Sequence, residues 1–381
     1  MIKNILNLIV NEIKIIFRAR GVFILILLIP LVLTFISAGV TQVTDITTLR
    51  LGIINEDKTF IGLFFLKYAT SMLKGDNIIE LSSREEINDH LDDLDGVFVI
   101  PKGFANNLLF QKPSELIFIP NPHSLQTTIA IYQVMTNVLR EFKALPVVAD
   151  PDFMENMDVD PNYVAPKIAV DGIEEEKLGF SSFLFPSLLT LTLLFISIIG
   201  ITWTIQEDRR SEMIDLLKIA NVSRSQFMIS KFISYFFIGI LELGVFLLTG
   251  KITGFLKFSF SVYDILLFMV LIFLFTALGS FFASISKTVR GAQFLSTGFS
   301  IVLVILSGVL FPISAFPGWL KTLCNSLPMN QLINKLQGTI LFDYSWADVQ
   351  SVIGTNLIIG LVLLAFSIII LKFEGSFAGE Y

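Results

Sequence analysis

The sequence has few of the residues that enzymes use for catalysis and metal binding. It contains one cysteine, Cys324, and two histidines, His90 and His123, in 381 residues. A single cysteine cannot form a disulfide within the chain, and two distant histidines lack the spacing of a zinc site. The chain also has no G-x-x-x-x-G-K-[ST] loop for ATP and no G-x-S-x-G or H-E-x-x-H motif. The sequence therefore predicts neither an enzyme nor a metalloprotein, and no cofactor bound by this chain.

Charged residues are scarce as well. They make up 16% of the chain, against roughly 25% in soluble domains, while hydrophobic residues make up 54%. The mean hydropathy of +0.75 excludes an ordinary soluble protein. The basic residues lie between apolar runs and the net charge is −6, which excludes a nucleic-acid partner. The composition predicts a protein that lies in membrane lipid.

Six long apolar runs predict six transmembrane helices. A run of roughly 20 apolar residues is enough to cross the hydrocarbon of a bilayer. Five such runs contain no Asp, Glu, Lys or Arg: residues 21–44, 178–206, 265–286, 291–320 and 349–371. The sixth run, residues 232–250, contains only Glu242, and one such charge costs about 3 kcal/mol on insertion. Glu242 is a candidate functional acid within the membrane, and a structural hydrogen bond to a neighbouring helix is the alternative.

The distribution of Lys and Arg predicts the orientation. Most of the basic residues beside the spans lie on the side that carries both termini, and cytoplasmic loops are enriched in Lys and Arg. We therefore expect a multi-pass protein of the cell membrane with cytoplasmic N- and C-termini.

The predicted fold is a membrane all-α protein with six transmembrane helices and a small α/β extracytoplasmic domain inserted between the first and second. Residues 1–20 have apolar positions at helical spacing and predict an amphipathic helix on the inner membrane surface, or an extension of the first span. Residues 21–44 are the first span. The external domain covers residues 45–177, and residues 178–381 form a five-helix transmembrane region.

The external domain alternates predicted strands and helices. Its last part, residues 145–177, is rich in proline and acid, so we assign it no fold and expect an acidic Pro-rich linker. We expect Ser82 and Glu85 to form a capping box for the second helix. Strands are predicted at residues 51–54, 78–81, 96–100 and 116–119, and helices at residues 60–74, 83–94 and 124–143.

The segment between the second and third spans predicts a short amphipathic helix at residues 207–222. Met213, Ile214, Leu217 and Ala220 form its apolar stripe, and Asn221 can end it. Ser223 and Gln226 then form a capping box that starts the third span. Spacing alone leaves two interpretations open: a helix resting on lipid headgroups, or a coupling helix that docks into a partner and moves both spans.

This segment resembles the cytoplasmic loop of ABC-2 type permeases. In that family an acid and base pair precedes an E-x-x-x-L helix, a Ser-Arg turn and a Gly/Ser-Lys pair. The matching pairs are Glu212 with Leu216, Ser223 with Arg224, and Ser230 with Lys231, after Glu207 with Arg209 or Arg210. The resemblance implies that the segment couples the chain to an ATPase through the following residues: Glu207, Arg209, Arg210, Glu212, Ile214, Leu216, Leu217 and Arg224.

Two further stretches resemble the same family. Residues 306–341 carry its small-Gly turn, Phe-Pro, a second Pro with an aromatic, and a Leu-Pro. Proline breaks helices, so we expect an external re-entrant segment at residues 312–345 that acts as a gate. The gate residues are Pro312, Phe316, Pro317, Trp319 and Pro328. Residues 55–57 and 96–104 are similar to the subgroup with a large extracytoplasmic domain after its first transmembrane helix.

The resemblance implies a transporter subunit with partners. Its ATP and Mg would be bound by a separate cytoplasmic ABC ATPase subunit, and a second permease subunit would complete the path as a homodimer or a paralogous heterodimer. The expected cargo is amphipathic or hydrophobic, and a periplasmic adaptor on the external domain is left open. The alternatives are a membrane receptor or scaffold similar to phage-infection proteins, and a secondary transporter, which the lack of internal repeats disfavours.

Overall fold

The computed structural model describes most of the chain as two compact units. One unit comprises residues 1–40 and 184–381, and the other comprises residues 41–183. The predicted first span, residues 21–44, lies outside the described residues. Those residues are 2–18, 50–59, 78–87, 94–104, 114–121, 125–141, 167–170, 180–211, 213–253, 260–308 and 316–371, with single positions at 63, 67, 107 and 313.

The smaller unit contains a five-stranded sheet. The strands are β1 (Leu51–Asn55), β2 (Ile78–Leu81), β3 (Gly96–Ile100), β4 (Glu115–Pro120) and β5 (Lys167–Val170). Their order in the sheet is β2-β1-β3-β4-β5. The first three strands in that order are parallel, β4 runs antiparallel to β3, and β5 runs parallel to β4. Helix α2 (Leu125–Glu141) packs on the sheet, where the rings of Phe98 and Phe118 stack at 4.5 Å.

Strands β1 to β4 lie where their β-branched and apolar runs predict them. Within residues 145–177, to which we assign no fold, only residues 167–170 are described, and there the expectation is wrong: they form β5, which pairs Glu115 with Lys167 and Phe118 with Val170. Four residues among prolines and acids are too few for periodicity to indicate a strand. They form one because the open edge of β4 is available for pairing. Of the helix predicted at residues 60–74, Leu63 and Lys67 are described and helical.

The larger unit is helical. Its elements are α1 (Ile2–Arg18), α3 (Phe180–Phe195), a π-helical segment (Ile196–Gly200), α4 (Ile201–Arg210), α5 (Met213–Ile219), α6 (Arg224–Ile252), α7 (Val262–Ile285), α8 (Val289–Leu306), α9 (Gly318–Ser326), α10 (Pro328–Phe342) and α11 (Trp346–Ile370). Five helical runs among the described residues are long and apolar enough to cross a membrane: Phe185–Arg210, Arg224–Ile252, Val262–Ile285, Val289–Leu306 and Trp346–Ile370. The protein is therefore a membrane α protein that crosses the bilayer several times.

The same capping motif begins three of the long helices. A serine hydroxyl accepts a hydrogen bond from the backbone N–H three residues later, and the side chain at that position bonds back to the serine N–H. The pairs are Ser223 with Gln226, Ser261 with Asp264, and Ser345 with Asp348. The capping box predicted at Ser223 and Gln226 is confirmed, and these boxes fix where α6, α7 and α11 start.

Helix α7 is the centre of the larger unit, where it packs against α4, α6, α8, α10 and α11. Two glycines allow its closest contacts. A Cβ at Gly279 would lie 2.7 Å from the carbonyl oxygen of Ile198, and one at Gly360 would lie 2.5 Å from the ring of Phe273. At Gly279 the backbone of α7 therefore lies against the π-helical segment, and at Gly360 the backbone of α11 lies against a ring of α7. Helices packed this closely shift together more readily than they deform.

Candidate functional site

The candidate site is the coupling segment, which we define as residues 207–224 between α4 and α6. Its central element is α5, a helix of 7 residues. The helix ends where Asn221 adopts a left-handed conformation with φ 55° and the Val222 N–H donates to Leu217 O at 2.9 Å. This pattern is a Schellman-type C-cap, for which asparagine is one of the suited residues. The prediction that Asn221 stops the helix is confirmed.

Helix α5 has a buried face and an exposed face. Leu217 is buried in an apolar cluster with Ile205, Phe227 and Ile16, so α5 is attached to α4, α6 and α1. The side chains of Leu216 and Ile219 are 61% and 83% exposed. Exposed apolar side chains on a short helix between two spans form a surface that a partner protein could cover.

A buried ion network lies behind this helix. The Lys231 Nζ of α6 lies 2.6 Å from Glu12 Oε2 of α1 and 2.6 Å from Asp208 Oδ2 of α4. The Lys231 and Glu12 side chains are 4% and 9% exposed. Burial raises the pKa of Glu12, and the charge of Lys231 opposes that rise. One ammonium group therefore joins three helices at the base of the coupling segment.

A second set of contacts joins α4 to the end of α7. The Arg209 Nη1 donates to Ser286 O at 2.9 Å and to Ala283 O at 3.2 Å, and the Gln206 Nε2 donates to Ala283 O at 2.8 Å. Thr202 donates its hydroxyl to Gly279 O at 2.9 Å, one turn further along. The last carbonyls of a helix need such donors, and a cation there complements the helix dipole. These bonds connect the coupling segment to the central helix.

The predicted coupling residues fall into three groups. Arg209 is half-buried on α7, whereas Arg210 and Arg224 are exposed and Glu207 is half-buried. Leu216 and Leu217 lie on opposite faces of α5, as described above. Glu212 and the Ile214 side chain lie outside the described residues. The structure brings Arg209 and Leu217 into internal contacts, and the assignment of the whole set to ATPase coupling stays a prediction.

Sequence reasoning missed Glu12, Asp208 and Lys231 as one group. Sequence analysis places Lys231 only in the Ser230-Lys231 pair of the family resemblance, yet it is 3% exposed. A lysine two turns into an apolar helix is a signal for a buried partner, since burying a charge without an opposite charge is costly. Its partners could not be found from the sequence, because 219 positions of chain separate Glu12 from Lys231.

The connection between α8 and α11 carries the predicted gate. Pro317 precedes the first residue of α9, and Pro328 is the first residue of α10, where its missing N–H costs nothing. Asn330 donates to Leu306 O at 2.6 Å and to Cys324 O at 2.8 Å, which fixes both short helices to the end of α8. The Trp319 side chain is 73% exposed. Pro312 lies outside the described residues, Phe316 is half-buried, and the gate assignment stays a prediction.

Glu242 lies deep in α6. Its side chain has no exposed surface, and neither carboxyl oxygen has a hydrogen-bond partner of acceptable geometry in the structure. Thr192 of α3 is a polar neighbour, although its hydroxyl donates to Leu189 O at 2.9 Å. The ring of Phe246, one turn along α6, packs edge-on against Phe185 at 4.6 Å. The two interpretations of Glu242, a functional acid and a structural contact with a neighbouring helix, both stay predictions.

The larger unit is therefore a multi-span helical unit with a short helix held between two spans. The chain belongs to the ABC-2 transporter family, since the model of the ABC-2 family transporter protein matches residues 20–371. The curated linearmycin resistance permease protein LnrN of Bacillus subtilis (strain 168) is similar to this chain. The two are 22% identical over 384 residues, which cover 96% of this chain and 97% of the relative. Among the described residues, no group of three or more His, Cys, Asp and Glu could hold a metal ion.

Proposed function

We propose that this chain is the membrane-spanning subunit of an ATP-driven exporter of the ABC-2 type. A separate cytoplasmic ATPase subunit would bind ATP and Mg and dock on the coupling segment. The observation that carries the proposal is α5 itself, whose Leu216 and Ile219 are exposed while Leu217 is packed against three other helices. A helix with this arrangement would bind a partner through its exposed apolar side. It would transmit force to the neighbouring helices through its buried side.

The internal contacts provide a path for that force. Movement of α5 reaches α4 and α6 directly, and the buried ammonium of Lys231 moves α1 with them. Arg209 and Gln206 then pass the movement to the end of α7. Closely packed helices shift as units rather than deform, so a small displacement at α5 would change the packing of several spans.

The remaining parts of the proposal concern orientation and partners. Both termini would be cytoplasmic, as the basic flanks predict, so the small α/β unit would be extracytoplasmic. A second permease subunit, identical or paralogous, would complete the transport path, and a periplasmic adaptor could contact the external unit. The chain itself would hold no cofactor.

The cargo would be an amphipathic or hydrophobic compound. The relative from Bacillus subtilis is named for resistance to linearmycin, and by extension we propose export of a compound harmful to the cell. Glu242 would contact the polar part of such a cargo when the helices separate, because it is an acid fully buried within a span. Unchanged export by a Glu242→Gln variant would remove Glu242 from the proposal.

Co-purification with an ATPase tests the docking surface. The tagged chain is extracted in mild detergent, and the wild type is compared with Ile219→Glu. We expect an ABC ATPase to co-elute with the wild type and to be lost from this variant, because a charge replaces an exposed apolar contact. The matched control is Ile252→Glu at the opposite end of α6, where the isoleucine is 75% exposed. Equal ATPase recovery with both variants, or none with the wild type, would contradict the proposal.

A further inference from the structure

One side of α1 attaches it to the rest of the larger unit. Residues spaced four apart lie on the same side of an α-helix. The row of Leu8, Glu12 and Ile16 is such a set. Ile16 is buried in the apolar cluster that includes residues of α4 and α6, Leu8 packs against that cluster, and the Glu12 carboxylate lies 2.6 Å from the Lys231 Nζ. This row is therefore the inner face of α1.

The opposite side of α1 is exposed. A shift of two positions turns an α-helix by about 200°, so the row that begins at Leu6 points away from the inner face. Leu6 is 59% exposed and Val10 is 43% exposed, and the next two members of the row, Lys14 and Arg18, are exposed as well. We call these four residues the outer face of α1. It is apolar in its first half and basic in its second half.

The charge of the outer face is purely positive. Glu12 is the single acid in the sequence of α1, and it belongs to the inner face, where Lys231 neutralises it. The other exposed side chains of α1 among the described residues are apolar or amides. Exposed apolar and basic side chains on one helix, without acids between them, are typical of helices that bind anionic membrane surfaces.

The position of α1 favours lipid over a soluble partner for this face. Lys231 lies two turns into α6, so Glu12 holds α1 beside one end of a helix that is long and apolar enough to cross the membrane. Arg18 ends α1 three residues before the apolar run that begins at residue 21. Both constraints place α1 where the hydrocarbon meets the headgroups. At that level apolar side chains contact acyl chains, and long basic side chains reach the headgroups.

We propose that the outer face of α1 binds anionic phospholipid of the adjacent leaflet. Leu6 and Val10 insert among the acyl chains, and the Lys14 ammonium and Arg18 guanidinium groups pair with the headgroup phosphates. A zwitterionic lipid offers the same acyl chains, but its own cation competes for the phosphate, so it binds less tightly. This lipid preference goes beyond an interfacial position of α1, and it does not depend on the chain being an exporter.

Thermal unfolding of the full-length chain in detergent with added lipid tests the preference, because a ligand of the folded state raises the melting temperature. The probes are phosphatidylglycerol, phosphatidylcholine, which has the same acyl chains and no net charge, and sodium phosphate, which has the charge and no acyl chains. We expect phosphatidylglycerol to raise the melting temperature most, phosphatidylcholine to raise it less, and phosphate to have no effect. Equal shifts with the two lipids, no shift with phosphatidylglycerol, or a shift of the same size with phosphate would overturn the proposal.

Two double variants with the same loss of charge locate the binding. Lys14→Gln with Arg18→Gln should weaken phosphatidylglycerol binding by about fivefold for each removed cation and leave phosphatidylcholine binding unchanged. The control is Lys102→Gln with Lys251→Gln, at exposed lysines of the smaller unit and of the other end of α6, and should bind phosphatidylglycerol like the wild type. All four side chains are exposed, so the melting temperatures without lipid should match the wild type. Full phosphatidylglycerol binding by the outer-face variant, or an equal loss in the control, would overturn the proposal.

Discussion

At the scale of the residue, Lys231 shows how strongly one buried charge can affect stability. Its ammonium group is 2.6 Å from each of two carboxylates and almost completely buried. Removing one partner of a buried ion network leaves the other charges without compensation, which costs more than the network itself contributes. The role of Lys231 as the link among α1, α4 and α6 therefore has a direct consequence for stability.

Replacing Lys231 with Met should lower the free energy of unfolding by about 3–5 kcal/mol, because the buried Glu12 and the half-buried Asp208 would remain without a cation. Unfolding of the detergent-solubilised chain measures the effect. The control is Lys251→Met near the other end of α6, where the lysine is exposed and no loss is expected. Equal stability of the two variants would show that the network contributes nothing.

The pH dependence of Glu12 follows from its burial. Its folded-state pKa is raised above the ordinary value, so the folded state binds the proton more tightly than the unfolded state. The stability gained in this way is complete below the ordinary glutamate pKa and is lost as the pH rises through the raised one. Glu12→Gln does not titrate and lacks this dependence.

Acidification from neutral pH should therefore stabilise the wild type relative to Glu12→Gln. Melting temperatures of both proteins, measured from pH 7 down to about 4.5, give the difference directly. A difference that moves the other way would mean that attraction to Lys231, rather than burial, controls the pKa of Glu12.

At the scale of the element, the sequence predicts the features that depend on residues close together in the chain. The capping box of Ser223 with Gln226 and the stop at Asn221 depend on neighbours within a few residues, and both are confirmed. The second predicted box differs in detail, since the Ser82 N–H donates to Glu86 Oε2 at 2.9 Å rather than to Glu85. Residues 82–86 form bends and turns rather than the first turn of a helix, so the acid at the capping-box spacing is not the one that accepts.

Strand β5 and the ion network of Glu12 could not be predicted from the sequence, and the reason is different. Their partners are distant in sequence: β5 needs the free edge of β4, and Glu12 needs Lys231. A four-residue strand has too little periodicity to be recognised, and a single acid on an amphipathic helix is normally solvated. Tertiary packing, which spacing does not contain, decides both.

Substitutions of the two adjacent arginines, Arg209 and Arg210, should affect stability and ATPase docking separately. Arg209→Met should lower the free energy of unfolding by about 1–2 kcal/mol, because it removes a cation and two hydrogen bonds from the end of α7. Arg210→Met, at an exposed position of the same helix, should leave stability unchanged and reduce stimulation of the partner ATPase. Unfolding and ATPase assays on both variants check this, and a stability loss confined to Arg210→Met would contradict it.

At the scale of the whole molecule, the chain is a permease whose short helix α5 is attached to the spans, and we propose that force received at α5 is distributed through α7. Family membership rests on a match over residues 20–371, and the described residues show how the coupling segment is attached to the spans. Composition and run lengths predict a multi-pass membrane protein, and the resemblance of the cytoplasmic segment implies its family. They could not predict which of the coupling residues face inward, because Arg209 and Arg210 look alike in a sequence.

The most direct test is the ATPase activity of the complex reconstituted in liposomes, comparing the wild type with a variant in which Glu207, Arg210 and Glu212 are all replaced by alanine. We predict that the wild-type chain stimulates its partner ATPase, and that the variant inserts normally but no longer stimulates it. Stimulation by the variant equal to that of the wild type would contradict the claim that the coupling segment transmits force between the ATPase and the membrane helices.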